Sequence, residues 1–551
     1  MKYIFVSGGV ISGIGKGIAT SSIALLLKSA GFKVVPMKMD PYLNVDAGTM
    51  NPIEHGEVFV LDDGAETDQD LGHYERFLNE SLNKTSIATQ GSIYLSVIQK
   101  ERNLEYDGEC VDVVTYVTEE IIKRIKEAGR SKNADIVLIE IGGTTGEYQN
   151  VLFLEANRIM KLKNPGDVAH IHITYLPVPS SIGEMKSKPA QMSVRDLNAV
   201  GIQPDILLAR ASRSLDQNRI KKLAISTGLE PEYIISAPDV DSIYKVPVGF
   251  EDQQLTKKLL SKLGLIEKNA DLPAGRQGLK EWQGFVSKID SALREPEGKR
   301  TVKIAIVGKY FATGDYTLSD SYISVIEAIK HAAWTQALNP EIYWVDAGKV
   351  EKNPEILKGY QGIIVPGGFG SRDIEGKIIT IKYARENNIP YFGLCYGMQL
   401  ATVEFARNVL GYKDANTTEI DPDTAHPVIH IMPDQEKKLL ERNYGATMRL
   451  GAWDCVLSEG SGVRKLYGKK DISERHRHRY EFNNDYRQEI EKNGMQIVGT
   501  SPDGKLVEVI ELKDHPFFVG TQFHPELKSR PLDPHPLFIG FIEAASKIKA
   551  S

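Results

Sequence analysis

The chain has 551 residues, 41% of them apolar and 25% charged, and a net charge of −6. That length is too great for a single core, and the composition is that of an ordinary globular protein. The acidic balance excludes nucleic acid as a favoured partner, and no apolar run reaches the roughly 18 to 20 residues of a membrane span.

Met1-Lys2 leads straight into Tyr3-Ile4-Phe5-Val6 and glycines, unlike a signal peptide. Three cysteines, Cys110, Cys395 and Cys455, lack metal-like spacing and fit a reducing compartment, so a cytoplasmic setting is expected. Strand-like and helical runs alternate over most of the length, which predicts an α/β protein of two doubly wound domains. The series opens with a strand over Tyr3–Ser7, a glycine-rich loop and a helix over Ile18–Ala30. Gly31 serves as C-cap, and Phe32–Met37 is the next strand. Asp135–Ile141 has the continuous apolar character of a strand buried on both faces. Around 264–300 the pattern breaks: "EKNADLPAGRQG" and "LREPEGKR" flank a short amphipathic piece near Trp282–Ile289. This reads as a linker. The expected division is 1–266, a linker over 267–300, and 301–551, where a fresh strand starts at Val302–Val307.

The loop "SGGVISGIGKG" at 7–17 joins strand to helix, where backbone N–H groups and the helix dipole can hold phosphate. It departs from the Walker A spacing: Gly9 is one residue too far from Gly15-Lys16, and Gly17 replaces the magnesium-binding hydroxyl. Asp70, in "DGAETDQDLGHYERF", and Glu140, in "LIEIGGTTGE", put carboxylates near predicted loop or strand ends, where Mg²⁺ would be held. Lys38 supplies another cation. The reading is a nucleoside triphosphate site. The plain alternatives are a tight turn for the glycines, a turn cap for Glu140 and a solvated charge for Asp70.

In "IPYFGLCYGMQL", Cys395 falls between a strand, Pro390–Leu394, and a helix from about Tyr396. Such a turn exposes a nucleophile, and a helix N-terminus favours thiolate. In "GTQFHPEL", His524 can act as base toward Cys395 while Glu526 orients the imidazole. Gly367 and Gly368, in "VPGGFGSR", offer N–H groups for an oxyanion hole. Arg479, in "ERHRHRYEFN", suits a substrate carboxylate. Together these predict thiol-based acyl transfer.

Along nearly its whole length the chain resembles the CTP synthase family. The matching segments include "GGVISGIGKG", "MKMDPYLNVDAGTMNPIEHGEVFVLDDGAETDQDLGHYERF", "IEIGGTTGE", "GEMKSKPAQMSV", "DVDSIYKVP", "GLCYGMQ", "ERHRHRYEFNN" and "QFHPE". The resemblance implies an N-terminal amidoligase and a C-terminal class I glutamine amidotransferase. UTP would be phosphorylated at O4 by ATP and then aminated to CTP by ammonia from glutamine. It implies ATP contacts from Gly13, Ile14, Gly15, Lys16, Gly17, Ile18 and Lys38, with Arg210, Pro238, Asp239 and Val240 by the adenosine. UTP, or CTP as inhibitor, would meet Ser12, Glu147, Tyr148, Gln149, Lys186, Ser187, Lys188, Pro189, Ala190, Gln191 and Lys221. Asp70 and Glu140 would hold Mg²⁺. Glutamine would sit among Gly368, Phe369, Cys395, Tyr396, Gln399, Glu419, Arg479 and Tyr480. Pro52, His55 and Val58 would narrow an ammonia passage. GTP is the implied activator, and the implied assembly is a homotetramer of paired dimers that stacks into filaments.

Beside the stretch "KYFATGDYTLSDSY", longer than usual before Tyr322 and bearing on the GTP surface, three stretches depart from the family's usual pattern: Val114–Thr118, Gly146–Gln149 and Val178–Ser181. They bear on pyrimidine recognition. Two rival readings are a glutamine-dependent amidoligase acting on another carbonyl and a ParA-like ATPase. The second leaves the cysteine half unexplained. An inactive filament protein is a third, and the complete triad speaks against it.

Overall fold

The computed structural model describes residues 1–268, 277–294, 301–308, 312–313, 316–317, 319–368, 370, 373–432, 435, 445 and 447–549. The chain does not divide at one point. Met1–Asp46 and His73–Val286 form one compact unit, while Ala47–Gly72 and Ser287–Ser551 form the other.

The first unit is built on a parallel sheet, seven-stranded among the described residues. Its order is Ile87–Thr89, Val34–Asp40, Ile136–Ile141, Lys2–Gly8, Val168–Tyr175, Ile206–Ala211 and Ile234–Pro238. Ile136–Ile141 is buried at every position, as its unbroken apolar run requires. Apolar cores cover both faces, one around Leu26, Leu27 and Ile171, the other around Phe5, Ile139 and Phe153. Lys2–Gly8 lies at the point where later strands switch to its other side, and the loop after it opens into the helix Lys16–Ser29.

That helix begins two residues earlier than expected, because Gly15, in the left-handed region at φ 89°, already serves as its N-cap. Its end is closed by Gly31 N–H donating to Lys28 O and Phe32 N–H donating to Leu27 O. Phe32 is thereby spent on the cap, and the strand expected over Phe32–Met37 runs instead over Val34–Asp40.

The stretch read as a linker contains an 18-residue helix, Gln277–Arg294, longer than the short piece expected. Trp282 is fully buried, donates to Tyr244 O at 2.8 Å, and packs on Phe77 and Phe285. Through Val286 this helix belongs to the first unit. The Gly/Pro-rich pieces at 269–276 and 295–300 lie outside the described residues.

The second unit carries a mixed sheet, nine-stranded among the described residues: Asn339–Asp346, Thr301–Gly308, Gly362–Val365, Tyr391–Leu394, Phe518–Thr521, Val507–Leu512, Met495–Thr500, Arg449–Leu457 and Asp471–His478. The first five pair in parallel and the rest antiparallel. The change of sense follows from short connections. Met495–Thr500 turns back into Val507–Leu512 through Pro502-Asp503-Gly504, with Gly504 at φ 74°. Two cores fill the faces of this sheet, around Ile363, Leu400 and Ile510 and around Ile306, Phe392 and Phe541.

Candidate functional site

In the second unit, the strand Tyr391–Leu394 delivers Cys395 to the first turn of the helix Tyr396–Phe405. Cys395 sits at φ 48° and ψ −96°, a conformation a side-chain-bearing residue adopts at a cost on the order of 1–3 kcal/mol. The turn is tight enough that a Cβ on Gly397 would lie 2.1 Å from Val365 O, so only glycine fits there. Gln522 Nε2 donates to the Cys395 sulfur at 3.6 Å, and the sulfur lies 3.9 Å from Arg477 O.

His524 Nδ1 is 2.7 Å from Glu526 Oε1. Burial pushes the imidazole pKa down, but the Glu526 carboxylate and the Cys395 sulfur outweigh it and hold it up at about 10. His524 is therefore an imidazolium at neutral pH. That is the state a base toward Cys395 reaches, and it carries the proton a leaving nitrogen needs. Its Nε2 has no aligned hydrogen-bond partner among the described residues.

A cavity of about 510 Å³ joins these groups. Cys395, His524, Glu526, Gly367, Gly368 and Arg479 line it, together with Gly48, Thr49, Met50, Pro52, Glu57 and Val58. Gly367 is there for close approach, since a Cβ would come within 2.8 Å of His524 Cε1. The remaining expected glutamine contacts gather nearby through hydrogen bonds. Gly370 N–H donates to Glu419 at 2.7 Å, Tyr396 donates to Gly370 O at 2.9 Å, and Gln399 donates to Tyr480 O at 2.8 Å. Phe369 lies outside the described residues. Of the expected passage residues, Pro52 and Val58 line the cavity; His55, half-buried on the short helix Pro52–His55, is not among its lining residues. Arg477, Glu57 and Gln522 were missed from sequence. The period-2 alternation in "ERHRHR" was the available signal for Arg477, because it sets the arginines on one face of a strand.

In the first unit, three loops meet at the C-terminal edge of the sheet. Lys16 Nζ donates to Gly143 O at 2.6 Å, and Thr145 N–H donates to Gly8 O at 2.8 Å. Glu140 is fully buried, with Lys38 Nζ donating to Oε1 at 2.8 Å and Tyr74 OH to Oε2 at 2.5 Å. Tyr74 was also missed from sequence. A hard carboxylate oxygen facing an ammonium is the donor chemistry Mg²⁺ takes, and Asp70 offers the same chemistry, so the residue types fit that ion. Asp70 stands in the first turn of the helix Gln69–Leu78 and belongs to the second unit.

Arg210 donates to Asp239 at 2.9 Å and to Pro238 O at 3.4 Å, which gathers Arg210 and 238–240 at the ends of the last two strands. Gly13 to Ile18 form the loop and first helical turn, with Ser12 exposed. Ser187 immediately precedes the helix Lys188–Ala199 and accepts from Gln191 at 3.2 Å; Lys186 pairs with Glu184 at 2.7 Å. Lys221 is exposed on the helix Gln217–Thr227. Gln149 donates to Glu147 at 2.9 Å, and Tyr148 is 98% exposed.

A thiol site of this kind, in a chain that also carries a parallel-sheet unit with a phosphate-type loop, defines a class: a glutamine amidotransferase joined to a synthetase. Residues 2–265 match the family described as CTP synthase N-terminus, and residues 317–544 match glutamine amidotransferase class-I. The chain is 50% identical over 551 residues to the CTP synthase of Caldanaerobacter subterraneus subsp. tengcongensis, covering 100% of this chain and 99% of that one. It is 47% identical over 547 residues to that of Bacillus subtilis, covering 99% and 98%. A solved glutaminase domain of Trypanosoma brucei CTPS with bound acivicin is 38% identical, with a TM-score of 0.41, over 45% of this chain and 96% of that one. The chain belongs to the CTP synthase family: glutamine-hydrolysing C–N ligases that act on ATP, UTP and glutamine. Among the described residues no helix is long and apolar enough to cross a membrane.

Proposed function

We propose the following division of labour for CTP formation by this chain. The Cys395 sulfur attacks the side-chain carbonyl carbon of glutamine, and the oxyanion that forms is met by the N–H groups of Gly367 and Gly368. His524 gives its proton to the departing nitrogen, so ammonia leaves and a thioester remains. His524, now neutral, takes a proton from water as that water attacks the thioester; the sulfur departs as thiolate and glutamate is released, which restores the starting thiolate and imidazolium. Glu526 keeps the imidazole oriented and charged. Gly368, Phe369, Tyr396, Gln399, Glu419, Arg479 and Tyr480 hold the amino acid, with the Arg479 guanidinium on its carboxylate. The observation that carries this reading is the strained Cys395 elbow sharing one cavity with the His524–Glu526 pair.

In the synthetase part, over 1–266, the loop from Gly13 to Ile18, with Lys16 and Lys38, receives the ATP phosphates, and Arg210 with Pro238, Asp239 and Val240 flanks the adenosine. Ser12, Glu147 to Gln149, Lys186 to Gln191 and Lys221 take UTP, or CTP acting as inhibitor. ATP phosphorylates O4 of the uracil, ammonia attacks C4, and phosphate leaves to give CTP, ADP and phosphate. Asp70 and Glu140 would hold Mg²⁺, which when bound offsets triphosphate charge. Pro52, His55 and Val58 guide ammonia. The part over 301–551 is the glutaminase, and 267–300 connects the two. GTP activates glutamine hydrolysis, the enzyme works as a homotetramer that can form filaments, and its setting is cytoplasmic. CTP formation assayed with glutamine and with ammonia is the test: CTP from both is expected, and CTP from neither would overturn the reading.

A further inference from the structure

The wall Gly48–Val58 of the thiol cavity is not a free loop. It belongs to a segment whose two ends are tied to the strand Asp471–His478 by arginines on one face. Arg477 Nε donates to Glu66 Oε1 at 2.8 Å, and its Nη2 donates to Gly48 O at 3.1 Å. Glu66 in turn accepts from Ala47 N–H through its own carbonyl at 3.3 Å, so the segment closes on itself where Arg477 grips it. The pair is buried, with side chains 13% and 1% exposed, so it is little screened by solvent. Two residues earlier, Arg475 Nε reaches Asp62 Oδ1 at 2.6 Å and its guanidinium lies over the Phe59 ring. The far end of the wall is tied by Ser321 donating to Pro52 O at 3.1 Å and by Ser324 N–H donating to Glu57 at 3.2 Å.

Arg477 thus works in two directions. Its backbone carbonyl lies 3.9 Å from the Cys395 sulfur, and its guanidinium holds Gly48, which lines the same cavity. We infer that Arg477, through Glu66, is a positioning residue that keeps this wall closed over the thiol so that ammonia released there is retained rather than lost to water. The chemistry makes retention matter: ammonia that meets bulk water at neutral pH is mostly protonated and cannot attack a carbon. Removing the Glu66 charge breaks this ion pair while the bond to Gly48 O remains, which loosens the wall without touching the triad.

The inference rests on the proposed function, and the full chain tests both. Glu66→Gln is expected to keep glutamine hydrolysis and ammonia-driven CTP formation within about twofold of the starting chain. The CTP formed per glutamate released should fall severalfold, with free ammonia appearing in solution. Arg477→Lys, which keeps the charge but not the fork, is expected to give a ratio between the two. A starting chain that makes no CTP from glutamine strikes the proposed function. A starting chain that couples, with both variants coupling equally well, strikes only this inference. A fall in hydrolysis with the ratio unchanged also overturns it, because that marks a merely structural role.

Discussion

The two candidate sites are prepared in opposite ways. In the second unit the candidate groups stand assembled: a strained thiol, an imidazolium charged by Glu526, and two glycines lining the same cavity. In the first unit the cations rest on the protein itself, Lys16 on the Gly143 carbonyl and Lys38 on Glu140. On the proposed function, phosphate and metal would take over these contacts before the lysines act. The difference teaches that a site which forms a covalent bond to its substrate can be finished in advance. A site that neutralises a polyanion must hold its charges on temporary partners, since isolated buried ammonium groups are costly.

Four experiments break or sharpen that contrast. Cys395→Ala should reduce glutamine-driven CTP formation by on the order of 10³-fold or more while sparing ammonia-driven formation. Equal loss with both nitrogen sources would erase the distinction between the sites. Lys16→Ala should lower CTP formation with either nitrogen source by about 10²-fold or more, with glutaminase turnover intact, as measured by glutamate release. Unchanged synthesis would remove the lysine from phosphate binding. Gly397→Ala drives a Cβ against the Val365 backbone carbonyl and should destabilise the fold by roughly 1–3 kcal/mol, read as a lower thermal midpoint. A midpoint that does not move would show that the elbow tolerates a side chain.

The effect spread over the widest range of conditions is in pH dependence, and it has opposite signs in the two units. His172, buried between Ser7 and Ser193, has its pKa pushed down to about 3 by burial and then by Lys16. The unfolded chain takes up a proton there near pH 6.5 and the fold does not, so stability falls as pH drops from about 6.5 toward 3. His524 is held up at about 10, so its contribution is fully present below about pH 6.5 and is lost as pH rises toward 10. Each slope is at most about 1.4 kcal/mol per pH unit. In thermal unfolding across pH, His172→Gln should flatten the acid arm and Glu526→Gln the alkaline arm. Arms that keep their slopes would assign them to other groups.

The triad and the glycine loop were legible because each lies in a local pattern. Gly393-Leu394-Cys395-Tyr396-Gly397 and His524-Pro525-Glu526 carry their own turn geometry, and an unbroken apolar run such as Ile136–Ile141 announces a doubly covered strand. The placement of 47–72 was not legible. Its partners Arg475 and Arg477 are 413 and 411 positions away from Asp62 and Glu66, and no short-range pattern encodes such pairing. Likewise Tyr74 on Glu140 and Trp282 on Tyr244 depend on tertiary burial, which turned a stretch that reads as connector into a packed helix.

The excursion of Ala47–Gly72 into the second unit has a practical consequence for anyone wishing to separate the halves. A cut near residue 290 leaves on the wrong fragment the strip that roofs the thiol. A glutaminase prepared from the C-terminal piece alone would keep its nucleophile and its acid, yet have an open vestibule. Grafting the strip back as a tethered peptide, rather than moving the cut site, is the way to restore the missing roof.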